Sequence, residues 1–586
     1  MKRDLELSHL DRYGTILDIL EVRAVVSPDE TAFLFLDYKR DEQIETFITY
    51  GDLVSKAKKI AGYLQKAGYQ GKRAVLLYPD GIAFIIALIG CLYAGCIAVP
   101  LYHFRTRRKA ERLLAIIRDS DACLLMTDSK NMDKLQGFLE PVLENDHQWA
   151  ASDLICSTPE EYPSFVPAYQ REDLAYLQYT SGSTSVPKGV MITHGNIMHN
   201  MKVIQHNYES KKQSKGVSWI PHYHDMGLIY TIFQPLYIGY LQILMQPADF
   251  IGKPFRFFKA ISDNRGTTFA MPNFGFDYST KTITEDEVKE LDLSCVVNAA
   301  NGSEPIQTST MLEFYHHFKA CGLKQSALMP GYGLAEATLV VTSGSRDAKG
   351  NRLTSVDINS AAFKKNEVVP AESEDFSTNC CSSGGIRDHV SVKIVDPDTC
   401  EECKERRVGE IWTSSESVSP GYWNKPDWNE KIFRAYTSDK REGPFLRTGD
   451  MGFIYENNLY ICGRRKDVLI IRGANYYPND IEHAVVDSNE CFRENDCVAF
   501  TMDGGNQESL YLGIEWNRKA KEELDPYQTM KGIRRLVSET FGLTVKGILM
   551  FHSGSIPKTS SGKIQRSLCK ERYLENSLRV LFSDIQ

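Results

Sequence analysis

The 586-residue sequence has no surplus of positive charge: 68 Lys and Arg stand against 76 Asp and Glu, a formal net charge of −8. A protein built mainly to hold a nucleic acid needs a positive field, so that class is excluded, a local basic patch aside. There is no disulfide framework either. The fourteen cysteines are scattered without the short regular spacing of a secreted scaffold, and Met1-Lys-Arg-Asp-Leu-Glu-Leu7 is too charged to begin a signal segment, so a reducing cytoplasm is expected. Cys400-Glu-Glu-Cys403 has zinc-like spacing but no second pair nearby, and Cys380-Cys381 is adjacent rather than spaced. Internal repeats and low-complexity tracts are missing.

Long apolar runs are also missing, with one exception. Gly81 to Val99 is nearly free of polar side chains and approaches membrane-spanning length. It carries Gly90, Tyr93 and Gly95 and ends in Ile97-Ala-Val-Pro100, which predicts a buried helix followed by a short parallel strand, so no integral membrane segment is expected.

What is present is ordinary globular composition, 42% hydrophobic and 25% charged, in a chain too long for a single core. Residues up to about Lys72 read as helix, strand, strand, helix. Arg73-Ala-Val-Leu-Leu-Tyr, Ala122-Cys-Leu-Leu-Met-Thr and Leu174-Ala-Tyr-Leu-Gln-Tyr read as strands among helices, and this alternation continues to about residue 345, the pattern of a doubly wound α/β domain. Arg105 to Arg112 opens a basic helix, read as a solvated face. Residues 345–379 dissolve into Asp, Lys, Asn, Ser and Glu around Val368-Val-Pro370 and read as a surface insertion. Val392-Lys-Ile-Val and Gly409-Glu-Ile-Trp412 return as strands. A hairpin is expected around Asn457-Asn458. Gly463-Arg-Arg-Lys-Asp467 is a charged joint before a small α+β domain.

Six segments carry chemistry. Tyr179-Thr-Ser-Gly-Ser-Thr-Ser-Val-Pro-Lys-Gly189 follows a strand with hydroxyls, glycines and one lysine, the materials of an anion-binding turn. It departs from G-x-x-x-x-G-K-[ST], because Lys188 precedes the second glycine and Val190 follows it. Trp219-Ile-Pro-His-Tyr-His-Asp-Met-Gly-Leu228 gathers two histidines and an aspartate without a completed zinc set; His224 either orients an anionic substrate or belongs to a capped turn. Asn301-Gly-Ser-Glu-Pro305 and Gly331-Tyr-Gly-Leu-Ala-Glu-Ala-Thr338 place glycine beside polar groups. There Tyr332 offers a ring to an adenine face and Glu336 an oxygen to Mg²⁺. Arg447-Thr-Gly-Asp450 offers a carboxylate to a ribose diol, within reach of Arg464. Ser555-Ile-Pro-Lys-Thr-Ser-Ser-Gly-Lys-Ile-Gln-Arg566 carries Lys563 in a Gly/Ser loop, a cation for charge developing between carboxylate and α-phosphate. Ile229 to Phe233 and Phe269 to Phe276 are either tunnel lining or plain core.

In this order the segments closely resemble the adenylate-forming superfamily of acyl-CoA synthetases, luciferases and peptide-synthetase adenylation domains, over nearly the whole chain. Within it the sequence is most similar to the fatty acyl-AMP ligases, through the Trp219–Leu228 block, the Asn301–Pro305 block and the polar insertion before Cys380. The resemblance implies an α/β fold: a large N-terminal adenylate-forming domain, doubly wound layers plus a β-rich subdomain, over residues 1–463 with an insertion at 345–379. A small mobile α+β domain follows over 464–586.

It implies ATP and Mg²⁺, with Thr180, Ser181, Gly182, Ser183, Thr184 and Lys188 on the triphosphate and Ser303, Gly331, Tyr332 and Gly333 around the nucleotide. Asp450 and Arg464 hold the ribose, Glu336 and Thr184 the metal, Lys466 is the hinge, and Lys563 and His224 are catalytic. It further implies a fatty acid as substrate and, because the insertion restrains rotation, a phosphopantetheinylated acyl carrier protein as acceptor. A coenzyme A ligase is the nearest alternative, and a silent nucleotide- or lipid-binding scaffold the non-enzymatic one. Ala335 stands where many members of the superfamily carry Thr, removing a hydroxyl near the phosphates.

Overall fold

A computed structural model describes residues 7–40, 42–102, 110–143, 147–179, 187–344, 346–347, 349–373, 377–503, 508–559 and 562–586. The helix Ile82–Ala94 lies inside the expected apolar run, with Gly95 capping it at φ 74°. A left-handed cap of this kind favours glycine. The helix is 13 residues long, and no helix among the described residues is long and apolar enough to cross a membrane. It is buried instead, against the amphipathic helix Tyr50–Lys66. A Cβ on Gly90 would come within 2.8 Å of Ile60, so glycine is what lets the two helices meet. Each fully buried Ile or Leu in this contact contributes about 1.5–3 kcal/mol.

The strand that follows, Ile97–Tyr102, runs parallel between Arg73–Tyr78 and Leu174–Tyr179 in a six-stranded sheet. Gly189–Thr193 closes that sheet as an antiparallel edge. A second, larger sheet holds a parallel run: Thr31–Lys39, Leu241–Met245, Lys215–Ser218, Thr268–Met271, Asn298–Asn301 and Leu328–Gly333. From Val340–Ser343 onward it turns antiparallel, through Ser377–Gly385, Asn458–Arg464, Leu446–Tyr455, Gly409–Ser414 and Ser391–Val395. These are the doubly wound layers and the β-rich part expected from the sequence. The hairpin at 457–458 is also present, with Glu456 and Asn457 both at positive φ, 48° and 59°, as a tight hairpin turn requires.

A separate core gathers Leu469, Ile481, Val485, Leu512, Ile514, Met530, Ile533 and Ile548. Around it stands a four-stranded sheet, Cys497–Asp503, Glu508–Trp516, Val545–His552 and Val580–Ile585. This is the small α+β unit. Arg464 still belongs to a strand of the large sheet, paired across to Asp450; the turn Arg465–Asp467 follows it directly.

The segment expected as a surface insertion is partly built into the core. Ser355–Asn359 is a strand, antiparallel to Ser377–Gly385. Ile358, Phe363 and Val368 are buried with Met451, Phe453 and Tyr477. Lys364 Nζ donates to the Phe541 carbonyl at 2.9 Å, and the Asn475 amide donates to the Lys364 carbonyl at 3.0 Å. The segment is a wedge between the units. Its alternation, Val356 and Ile358 inward against Ser355 and Asp357 outward, is a half-buried strand written in polar letters.

Candidate active site

A cavity of about 320 Å³ opens at the carboxyl ends of the parallel strands, walled by both units. That is where an open α/β sheet presents its loops to a ligand. Three stretches at or beyond the ends of parallel strands reach it: Tyr223–Met226, Asn301–Ile306 and Gly331–Glu336. Asp450, Arg464, Lys466 and Lys563 join them from the β-rich part, the joint and the small unit.

Strand pairing sets Asp450 opposite Arg464. Arg464 Nε lies 2.9 Å from Asp450 Oδ1, and the Tyr332 hydroxyl donates to Asp450 Oδ2 at 2.7 Å. Asp450 raises the already high basicity of the Arg464 guanidinium, and burial followed by the same carboxylate pushes the Tyr332 phenol up. Tyr332 is thus tied by its hydroxyl while it lines the cavity. Gly333 is required where it stands, because a Cβ there would sit 1.8 Å from the Leu339 carbonyl. The chain doubles back at this point and presents Glu336 on a short turn. Arg447, by contrast, does not reach the cavity: its guanidinium holds Glu410, with Nη2 at 2.7 Å from Oε2.

Glu336 accepts a hydrogen bond from the Tyr422 hydroxyl at 2.7 Å. Lys188 is the described end of the Ser/Gly/Thr loop; Thr180, Ser181, Gly182, Ser183 and Thr184 lie outside the described residues. Its ammonium sits 3.8 Å from the centre of the Trp428 ring and 5.4 Å from that of Tyr422. It is not part of the cavity wall. Burial lowers its pKa, against the pull of Glu336.

Lys563 enters from a loop closed by local bonds: the Thr559 amide donates to the Lys563 carbonyl at 2.8 Å, and the Lys563 amide donates to Thr559 Oγ1 at 3.1 Å. Gly562, at φ 89°, makes the turn. Arg566 anchors the loop's far end on Glu482 at 2.5 Å and Asp467 at 3.1 Å. Burial and then the Arg464 charge lower the Lys563 pKa, while Asp225, Glu304 and Asp450 oppose them. Asp225 is paired to His224, Nδ1 to Oδ1 at 2.6 Å. Burial works to raise the Asp225 carboxyl, but His224 and then Lys563 hold it below the usual range. Ser303, at φ 75°, shows its hydroxyl to the Met226 sulfur at 3.9 Å. Lys466 faces the same cavity with its pKa lowered by burial.

Several participants escaped the sequence. Tyr422 and Trp428 carry no local signature, since only the fold brings them to Glu336 and Lys188. Asp225 and Glu304 sat inside blocks already singled out, but nothing in their spacing tied them to a lysine more than 250 residues away. Glu494 of the small unit accepts from Asn273 Nδ2 at 2.8 Å, across the boundary. Its pKa is raised by burial and then by Glu304, and burial pushes Glu304 itself up to about 6.

For a divalent metal the fit is partial. Glu336 is a hard oxygen ligand fixed by Tyr422 at the cavity wall. Among the described residues no three His, Cys, Asp or Glu side chains gather into a metal-holding group. A single carboxylate is enough only for an ion that brings its remaining oxygens with it, as Mg²⁺ does on phosphates.

Residues 20–423 match the family model described as AMP-binding enzyme, and residues 466–583 match one described as Disco-interacting protein 2-like, AMP domain. The chain is 38% identical to the medium-chain-fatty-acid–[acyl-carrier-protein] ligase JamA of Moorena producens, over 97% of this chain and 96% of JamA. It is 32% identical to the long-chain-fatty-acid–AMP ligase FadD28 of Mycobacterium tuberculosis, over 96% of this chain and 98% of that protein. Among solved structures, the fatty acyl-adenylate ligase from L. pneumophila in complex with acyl adenylate and pyrophosphate superposes with a TM-score of 0.74. It is 34% identical, covering 98% of this chain and 99% of that one.

Proposed function

Because the chain belongs to the AMP-binding enzyme family, we propose that it activates a fatty acid with ATP and passes the acyl group to the phosphopantetheine thiol of an acyl carrier protein. The observation that carries this reading is the convergence of Asp450 and Arg464, on neighbouring strands of the large sheet, with Lys563 of the small unit on one cavity. The fatty carboxylate oxygen attacks the α-phosphorus of ATP, the bond to the β-phosphate oxygen breaks, and pyrophosphate leaves with that electron pair. Asp450 and Arg464 hold the ribose; Ser303, Gly331, Tyr332 and Gly333 frame the nucleotide. His224, steadied by Asp225, orients the carboxylate. Lys563 neutralises charge where carboxylate and α-phosphate meet, and its burial strengthens that interaction. Thr180–Thr184 and Lys188 serve the triphosphate, with Lys188 leaving Trp428 to do so. Glu336, with Thr184, would hold Mg²⁺, which neutralises phosphate charge when bound.

In the second step the carrier thiolate attacks the acyl carbonyl and AMP departs, after the small unit turns at Lys466. The contacts of Lys364 with Phe541 and Asn475 give the 345–379 segment a grip on that motion and support a carrier protein over coenzyme A as acceptor. All fourteen cysteines are free thiols, in keeping with a cytoplasmic site of action.

The test is fatty-acid-dependent exchange of pyrophosphate into ATP. Lys563→Ala abolishes exchange while ATP still binds; exchange at the wild-type rate removes Lys563 from the mechanism. Adding coenzyme A or a pantetheinylated carrier to preformed acyl-adenylate then identifies the acceptor, since only the true one accelerates AMP release.

A further inference from the structure

The cavity does not end at the nucleotide. Between the strands Thr268–Met271 and Asn298–Asn301 the paired residues Ala270 and Ala300 both face into it. Two alanines side by side leave a slot where larger side chains would fill the layer. The lining of the same cavity includes Met226 and Val340, apolar side chains suited to a hydrocarbon. Two tyrosines stand across its inner end. Tyr208 is the last residue of the helix His194–Tyr208, and Tyr230 lies in the π-helical turn Gly227–Phe233. Their ring centres are 5.3 Å apart.

Both are fixed at the starts of the same two strands. The Tyr230 hydroxyl bonds Thr268 Oγ1, and Asn298 Nδ2 donates to the Tyr208 carbonyl at 2.8 Å. Thr268 and Asn298 are themselves paired neighbours. Tyr208 and Tyr230 are 6% and 2% exposed, so neither swings into open solvent to lengthen the slot.

We propose that Tyr208 and Tyr230 form the floor of the acyl arm and make this enzyme a medium-chain one. The inference rests on the acyl-adenylate reading above. Its scale comes from the strand: Asn298 to Asn301 is three residue steps, about 10 Å at the rise of a parallel strand. A carbon–carbon bond of about 1.5 Å at a tetrahedral angle advances a chain by about 1.25 Å. About eight carbons therefore fit between the carboxyl end and the tyrosines. Each further methylene up to that depth gains about fourfold through burial, and beyond it the chain meets the rings.

The experiment is the pyrophosphate-exchange assay with a ladder of saturated acids from butanoate to octadecanoate. In the wild type kcat/KM climbs about fourfold per methylene and breaks near eight to ten carbons. Tyr208→Ala moves the optimum to acids about four carbons longer, the length of the removed ring. Ala300→Met fills the slot from its side and moves it about two to three carbons shorter. If Tyr208→Ala fails to give a cooperative melt, the wild-type ladder and Ala300→Met decide the matter alone. A wild-type optimum at sixteen or eighteen carbons overturns the floor, as does a folded Tyr208→Ala enzyme with an unmoved optimum or an Ala300→Met optimum that does not shorten. No exchange with any acid of the ladder overturns the parent reading instead.

Discussion

The rotation proposed for the small unit carries a pH dependence, set by the carboxyl pair across the two units. Glu304 of the large unit accepts from the Phe274 amide at 2.7 Å and faces Lys563; Glu494 of the small unit is bonded to Asn273 and lies near Asp277 and Lys281. Among the described residues one buried oxygen of Glu494 meets no hydrogen-bond donor. Burial lifts Glu304 from 4.5 to about 6. Separation of the units returns it toward its ordinary value, so the closed arrangement binds a proton more tightly than the open one. The closed form is then fully favoured below about pH 4.5 and loses that advantage as pH rises through about 6. A rise of that size is worth about 2 kcal/mol, or about 30-fold in the closed-to-open ratio. Because Glu304 retains some contact with water, this is the upper figure. Small-angle scattering reads the outcome directly. The wild type is compact at pH 5 and expands toward pH 8, whereas the double variant Glu304→Gln/Glu494→Gln carries neither charge and stays compact at both. A variant that expands as the wild type does, or a wild type whose radius ignores pH, refutes the reasoning.

Two further outcomes follow from the contacts around the cavity. Trp428→Ala frees Lys188 from a ring it now covers at 3.8 Å. A cation–π contact at a half-exposed ring is worth about 0.5–1 kcal/mol, so the KM for ATP falls about two- to fivefold; an unchanged or raised KM counts against the parked position of Lys188. Asp450→Asn keeps the shape but removes the charge that Arg464 and Tyr332 address. Calorimetric titration with a non-hydrolysable acyl-adenylate analogue then shows affinity weakened by about 1.5–3 kcal/mol, and an unchanged constant would release Asp450 from the ribose.

Much of this architecture was legible because its signals are local. A helix that is apolar all round, as Ile82–Ala94 is, belongs to a core, and a positive-φ turn such as 456–457 needs residues like Asn. The blocks around Asp225, Ser303, Tyr332, Asp450 and Lys563 stood out by composition, and the fold assembles them in one cavity. The strand of the insertion is hard to see in the sequence because it buries only every second residue, and serine, aspartate and asparagine in between drown an alternation of four or five positions. The Tyr422–Glu336 bond spans 86 residues and the Asn273–Glu494 bond 221. Such pairs are fixed by how layers stack, and no window of sequence contains both members.

The strand Asn458–Arg464 ends on a guanidinium paired with Asp450, and the turn toward the small unit begins at the next residue. In the proposed rotation the last strand residue would be the bearing block and the turn the axle. A swing of residues 466–586 that reached back to Arg464 would tear the residue proposed to hold the nucleotide out of its seat. Confined to Arg465–Asp467, the same swing leaves that seat undisturbed, so the enzyme can change which face it shows a partner while the adenylate stays gripped.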